Sequence, residues 1–219
     1  MPGGLAERSG SRGPGQAVGG AGAKGEAISA AARRLFLADG YERTSVDAIA
    51  AEAGVSKRTI YNRYGDKENL FLSVLRETYT AMMATFGRIA GAHLSEITDM
   101  QRDLTAFARD VAFALLRAPE RIALIRLMLT EAPYFPALVR EQTRPQTMTG
   151  IMARALAGLA KAGRLEITDP YEAADHLSAL TFGQLNNKSM FGIVPVSDAD
   201  TERIVTGGVA AFLRAYRPG

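Results

Sequence analysis

The stretch that decides the fold runs Thr44-Ser45-Val46-Asp47-Ala48-Ile49-Ala50-Ala51-Glu52-Ala53-Gly54-Val55-Ser56-Lys57-Arg58-Thr59-Ile60-Tyr61-Asn62-Arg63-Tyr64-Gly65-Asp66-Lys67-Glu68-Asn69-Leu70-Phe71. Thr44 or Ser45 can cap a helix that carries Val46, Ile49, Ala50 and Ala53 inward, and Gly54 breaks it. Ser56 can cap a short helix through Tyr64. Gly65 and Asp66 interrupt that helix, and Asp66 can cap a long one whose inward face runs Leu70, Phe71, Val74, Leu75, Thr78, Met82, Phe86 and Ile89. Two short helices joined through Gly54 make a helix-turn-helix, with small Ala50 at the crossing and Val55 and Ile60 packing the second helix down. The outer face of the second helix then carries Ser56, Lys57, Arg58, Thr59, Tyr61, Asn62 and Arg63, and no carboxylate lies between Gly54 and Gly65. Cations and hydroxyls neutralise and hydrogen-bond phosphates, and Arg and Asn present paired groups to base edges. This face reads as a DNA-binding surface, although helices joined by a Gly turn also occur in plain bundles.

Working back toward the N-terminus, Ile28, Ala31, Ala32, Leu35 and Phe36 follow a helical stripe, and Gly40 stands where a left-handed residue would end that helix. Residues 1 to 23 contain 8 Gly and lack apolar periodicity, so they are expected as a disordered tail. Its Arg8 and Arg12, with Lys24, suit either a minor-groove arm or a simple overhang. Gly20, Gly22 and Gly25 spell G-x-G-x-x-G, but no strand precedes them, so a dinucleotide site is not indicated.

Toward the C-terminus the helical grammar continues. Thr98 and Gln101 read as a capping box before Leu104, Phe107, Val111 and Leu115. Pro119 suits the first position of a helix carrying Ile122, Ile125 and Met128 inward, stopped by the Pro133–Pro136 segment. A helix containing Pro145 should kink or split there before ending at Gly163. Asp169, Pro170 and Glu172 open a helix with Leu177, Leu180, Thr181 and Gln184 on one stripe, and Ser197 can cap a last helix carrying Ile204, Val205, Gly208, Val209, Phe212, Leu213 and Tyr216. Only Gly192 to Val196 looks extended. The expected class is all-α with about nine helices, divided into a tail (1–23), a three-helix helix-turn-helix domain (24–71), the connecting part of the fourth helix (72–91) and a larger domain (92–219).

Composition narrows the function. The 219 residues carry 26 basic and 23 acidic side chains, and the excess lies wholly before residue 92, so an anionic partner should meet that part. Zero Cys excludes disulfides, thiolate nucleophiles and sulfur-ligated zinc, and His93 and His176 stand far apart. No paired carboxylate or phosphate loop in helical context points to an enzyme, no cofactor is expected, and no stretch reaches the length of a membrane span, so a cytoplasmic protein is expected.

The run quoted first, with Leu35-Phe36 and Gly40-Tyr41 before it, closely resembles the DNA-binding domain of TetR-family transcriptional regulators over Lys24 to Leu70. Arg126 to Phe191, with Glu131-Ala132-Pro133-Tyr134-Phe135-Pro136 and Gly163-Arg164-Leu165, more loosely resembles the C-terminal domain of AefR-like members. The resemblance implies a homodimer on a pseudo-palindromic double-stranded operator, more a repressor than an activator, answering to a small apolar or amphipathic effector. It implies Thr44 and Ser45 on a phosphate, Lys57, Arg58, Thr59 and Asn62 toward the major groove, and Tyr61 and Lys67 on further phosphates. Tyr64 stands where the family more often has Phe and is assigned to the core; Arg63 stands where His is frequent. In the larger domain, Phe86, Phe107, Met128, Tyr134, Met152 and Phe182 supply aromatic and soft surface for an apolar pocket or for core. Leu177, Leu180, Thr181, Val209 and Phe212 are expected at a dimer seam built as a four-helix bundle, with His176 and Gln184 near it. The alternative is a helical small-molecule carrier or enzyme that retains the helix-turn-helix segment.

Overall fold

The computed structural model of the chain describes residues 17–131, 134–135 and 147–218, with side chains from residue 22 onward. It is all helical, and among the described residues the helices form nine rods. The first four are α1 (Ala17–Asp39), α2 (Val46–Ala53), α3 (Lys57–Tyr64) and α4 (Lys67–Leu94). Next come α5 (Met100–Val111), prolonged by a π turn (Ala112–Leu116), and α6 (Pro119–Glu131). Beyond the segment that contains Pro136 and Pro145, both outside the described residues, lies α7 (Met148–Lys161). One rod then joins α8 (Pro170–Ser178), a second π turn (Ala179–Gly183) and α9 (Gln184–Lys188), and α10 (Asp198–Ala215) closes the chain.

Local chemistry sets most of these boundaries. Ser45, Ser56, Asp66, Asp99, Thr147, Asp169 and Ser197 each accept a first-turn backbone N–H with a side-chain oxygen. Gly40 and Gly54 stop α1 and α2 at φ of 85° and 65°, a left-handed region closed to most side chains. The structure revises several expectations. Helix α1 starts at Ala17, inside the expected tail, and takes the G-x-G-x-x-G triplet into its length. Propagation from a packed helix adds one hydrogen bond per residue and does not require an apolar stripe. The capping box at Thr98 and Gln101 is replaced by carboxylates. Asp99 accepts from Arg102 N (2.9 Å), while Asp103 accepts from Thr98 N (2.9 Å) and Asp99 N (3.0 Å). A charged acceptor at the positive helix end outcompetes a hydroxyl. On α6 the buried residues are Leu124 and Leu127, with Ile122, Ile125 and Met128 only half-buried, and on α4 Met83 is buried where Met82 was expected.

Two apolar cores result. The larger joins α4, α5, α7, α8, α9 and α10 through Phe86, Phe107, Met152, Leu177, Phe182, Val209 and Phe212. The smaller holds α1 to α4 through Phe36, Ile49, Ile60, Leu70 and Phe71, and it also takes in Leu124, Leu127 and Phe135 from the larger domain. The boundary is therefore interlocked. Phe135 packs edge-on against Tyr41 and at a tilt against Phe71, with ring centroids 4.9 and 5.1 Å apart, and Phe71 meets Phe36 at 5.0 Å. Glu131 at the end of α6 accepts from Tyr41 N (3.3 Å), and Met82 packs on both cores.

Candidate nucleic-acid interface

The helix-turn-helix is built from short-range bonds that fix the aim of α3. After Gly54, Val55 N donates back to Ala50 O (3.0 Å), turning the chain sharply. Ser56 Oγ accepts from Thr59 N (3.1 Å) and so sets the first turn of α3. Ile60 is fully buried and pins α3 to the core, a burial that contributes roughly 1.5–3 kcal/mol. Asp66 Oδ1 accepts from Asn69 N (2.7 Å) and starts α4 immediately beyond. The opposite face of α3 is left to solvent with Lys57, Arg58, Tyr61, Asn62 and Arg63 exposed, as the periodicity predicts.

The expected contact residues are not equivalent once placed. Arg58 and Asn62 project from the outer face of α3, and Tyr61 is 41% exposed. Thr59 is half-buried and its hydroxyl shares a hydrogen bond with Ser56 Oγ (2.8 Å), so it braces the cap more than it faces outward. Thr44 is a correction: it is only 3% exposed, and its hydroxyl donates inward to Gly40 O (2.8 Å). That hydroxyl shapes the corner before α2 and is turned inward. Ser45 is exposed and accepts from Ala48 N (3.1 Å), leaving the earlier N–H groups of α2 to meet an anion. Lys67 is half-buried, its ammonium 4.2 Å from the Tyr41 ring centroid and donating to Glu42 O (3.4 Å), so its charge is held at the α4 N-terminus. Tyr64 packs on the smaller core as assigned.

Three contacts were not visible in the sequence. Lys57 Nζ donates to Asp47 Oδ2 across the turn (3.0 Å), and this bond raises the lysine's pKa. Arg34 of α1 clamps Glu52 of α2 through two hydrogen bonds, which lower the Glu52 pKa. Arg63 lies over the Tyr64 ring, and its guanidinium occupies the space that a Cβ at Gly25 would take. A carboxylate ten residues before a lysine is a signal only when the angle between the two helices is known.

Residues 28–74 match the bacterial regulatory proteins of the tetR family, and residues 102–218 match the C-terminal domain of AefR-like transcriptional repressors. The chain belongs to the TetR family. It is a DNA-binding regulator of transcription. A TetR-family regulator from Mesorhizobium loti is 30% identical, covers 90% of this chain and 98% of its own, and superposes with a TM-score of 0.81. The flavonoid-responsive regulator FrrA is also 30% identical over the same shares, with a TM-score of 0.71. The transcriptional repressor AcnR of Corynebacterium glutamicum is 43% identical over 51 residues, which is 23% of this chain and 27% of that repressor, so this likeness concerns the DNA-binding domain.

In the larger domain of this TetR-family chain, four of the six residues read as pocket or core lie in the core, and the stripes expected at the dimer seam are buried within the single chain. Phe86, Phe107, Met152 and Phe182 close on one another, with Phe107 5.6 Å from Phe86 and 6.4 Å from Phe182 by ring centroids, and all four are at most 2% exposed. They fill space that a pocket would need. Met128 packs toward the smaller core and Tyr134 is 77% exposed, so these two stand apart from that cluster. Leu177, Thr181, Val209 and Phe212, expected at the dimer seam, are at most 1% exposed within the single chain, and only Leu180 is half-buried. The apolar stripes of the last two rods pack on each other and on α5, and Gly208 lets α10 approach the Leu180 carbonyl so closely that a Cβ would overlap it. His176 Nδ1 and the Tyr216 hydroxyl hydrogen-bond at 2.6 Å within the chain, and Gln184 is exposed.

Among the described residues no group of His, Cys, Asp and Glu is placed to hold a metal ion, and no helix is long and apolar enough to cross a membrane.

Proposed function

We propose that the chain is a homodimeric, effector-responsive repressor that binds a pseudo-palindromic operator in the cytoplasm. The observation that carries this reading is the mechanical joint between the two domains. The recognition helix sits on a core whose wall includes Leu124, Leu127 and Phe135 of the larger domain, so a movement of α6 is passed to the head through packed side chains. Lys57, Arg58, Tyr61 and Asn62 supply phosphate and base-edge contacts, with Ser45 and Lys67 at helix N-termini adding phosphate contacts. One such unit reads few base pairs, and a two-fold axis would place two recognition helices in successive major grooves about 34–36 Å apart.

The seam of that dimer belongs on the outward faces of the last two rods, not on the buried stripes. Ala179 and Gln184 of the first and Arg203, Thr206, Gly207 and Arg214 of the second are exposed there. Fluorescence anisotropy with the chain's own upstream DNA, at 50 and 200 mM salt, tests the operator reading. Saturable, salt-dependent binding lost in Arg58→Ala, with helicity intact, is expected. Equal binding by wild type and a folded variant lacking both Arg58 and Tyr61 side chains would overturn it.

A further inference from the structure

Resting on the effector-responsive reading above, we propose that a groove between α4, the end of α5 and the start of α6 binds an organic anion, a carboxylate on an apolar body, with Arg121 receiving the carboxylate. The groove measures about 200 Å³, and its apolar walls are Ala81, Met82, Ala114, Leu115 and Leu124. Arg121 lines it from the first turn of α6 and is half-buried. Among the described residues it makes no ion pair and no hydrogen bond. Glu120 also lines the groove but is paired with Arg33 and not with Arg121, and burial lowers the Arg121 guanidinium pKa to about 10, so the group stays cationic at neutral pH. A desolvated cation without a partner is costly, and the cost is relieved by an anion that brings its own charge.

Two further features favour the same occupant. Helix α6 starts at Pro119, and Ile122 N bonds to Ala118 O (3.1 Å), so Ala118 holds the capping position and has no side-chain oxygen for the first turn. The partial positive charge of that turn adds to the guanidinium. Arg33 of α1 also lines the groove and pairs with Glu120 of α6 at 3.4 Å, a link between the DNA-binding domain and the larger domain. An anion seated on Arg121 competes with Glu120 for Arg33. Ligand binding and the placing of α1 against α6 are thereby coupled, and the planar two-nitrogen edge of Arg121 suits a carboxylate better than a spherical ion.

The test uses the full chain with benzoate and octanoate as probes and benzamide and octanamide as uncharged counterparts, read by isothermal titration and by operator anisotropy. The carboxylates should bind saturably and at least tenfold more tightly than the amides, and Arg121→Gln should lose at least tenfold of that affinity. Unliganded Arg121→Gln should melt at or above wild type, because it removes an unpaired desolvated charge. A lower melting point would mark Arg121 as a structural residue, and equal binding by the variant, equal binding of amides, or no binding of either carboxylate at millimolar concentration would overturn the site. Carboxylates that bind through Arg121 but leave operator affinity unchanged would refute the effector reading and spare the site. Uncharged molecules that release the operator while carboxylates fail would do the reverse.

Discussion

At the scale of single residues, the recognition helix is partly held by its own protein. Lys57 lies on the exposed face proposed to meet DNA, yet its ammonium is bonded to Asp47 at 3.0 Å, so a phosphate arriving there must compete with a carboxylate that would also repel the duplex. Asp47→Asn should therefore tighten operator binding at low salt, with the advantage shrinking as salt screens both charges. Lys57→Ala should loosen it and reduce the salt slope by about one unit. An anisotropy titration across salt concentrations checks both, and unchanged affinity in Asp47→Asn would show that the pair is already broken on DNA. The exposure of Lys57, Arg58, Tyr61 and Asn62 was legible in the sequence because helical spacing from Ile60 dictates it. The bonds of Thr44 and Asp47 were not, since they depend on how two helices are set against each other.

At the scale of elements, α10 crosses the π turn after α8 at close range. A Cβ at Gly208 would overlap backbone atoms of Leu180, which cannot swing aside as a side chain would. Gly208→Ala should cost about 1–3 kcal/mol, despite the better helix propensity of Ala, and lower Tm by several degrees in a melting curve. Helix α10 is also tied to α5, where Arg109 donates to both carboxylate oxygens of Glu202 at 2.7 and 2.6 Å. The hydrogen bonds to Arg109 hold the Glu202 carboxyl below its ordinary value. A carboxylate depressed in the folded state contributes stability above its unfolded pKa and loses it as pH falls through the folded one. Glu202→Gln should therefore flatten the fall of Tm between about pH 5 and 3, modestly because the pair is partly exposed. The capped starts of α2, α3, α4 and α10 were legible from Ser and Asp before apolar stripes. The π turns and the facing of α6 were not, because both answer to the packing of neighbours, and an apolar period tolerates a shift of one residue.

At the scale of the whole molecule, burial of the expected stripes within one chain is the reason the proposed dimer seam is assigned to the outward faces of the last two rods. Asp at Leu177 or Val209 would now destroy the core of each subunit and reveal nothing about association. Gly207 is the informative position: it is exposed on α10 with no atom within 4 Å of a Cβ placed there. Gly207→Glu should leave the subunit as stable or more so, by about 0.5–1 kcal/mol of helix propensity, while sedimentation reports monomer. A dimer that persists would move the seam off this face. The all-helical class was legible from the periodicity, but the sharing of Leu124, Leu127 and Phe135 with the core of the first four helices was not, as those residues lie more than 50 positions beyond Phe71. That sharing bears on how the molecule comes apart. Severed from the rest, the DNA-binding segment would expose Tyr41 and Phe71 where Phe135 now covers them, and α4 would lose the partners of its second half. Calorimetry should then record a single endotherm, and no proteolytic fragment ending near residue 91 should survive as a folded species, because neither domain can melt while leaving the other whole.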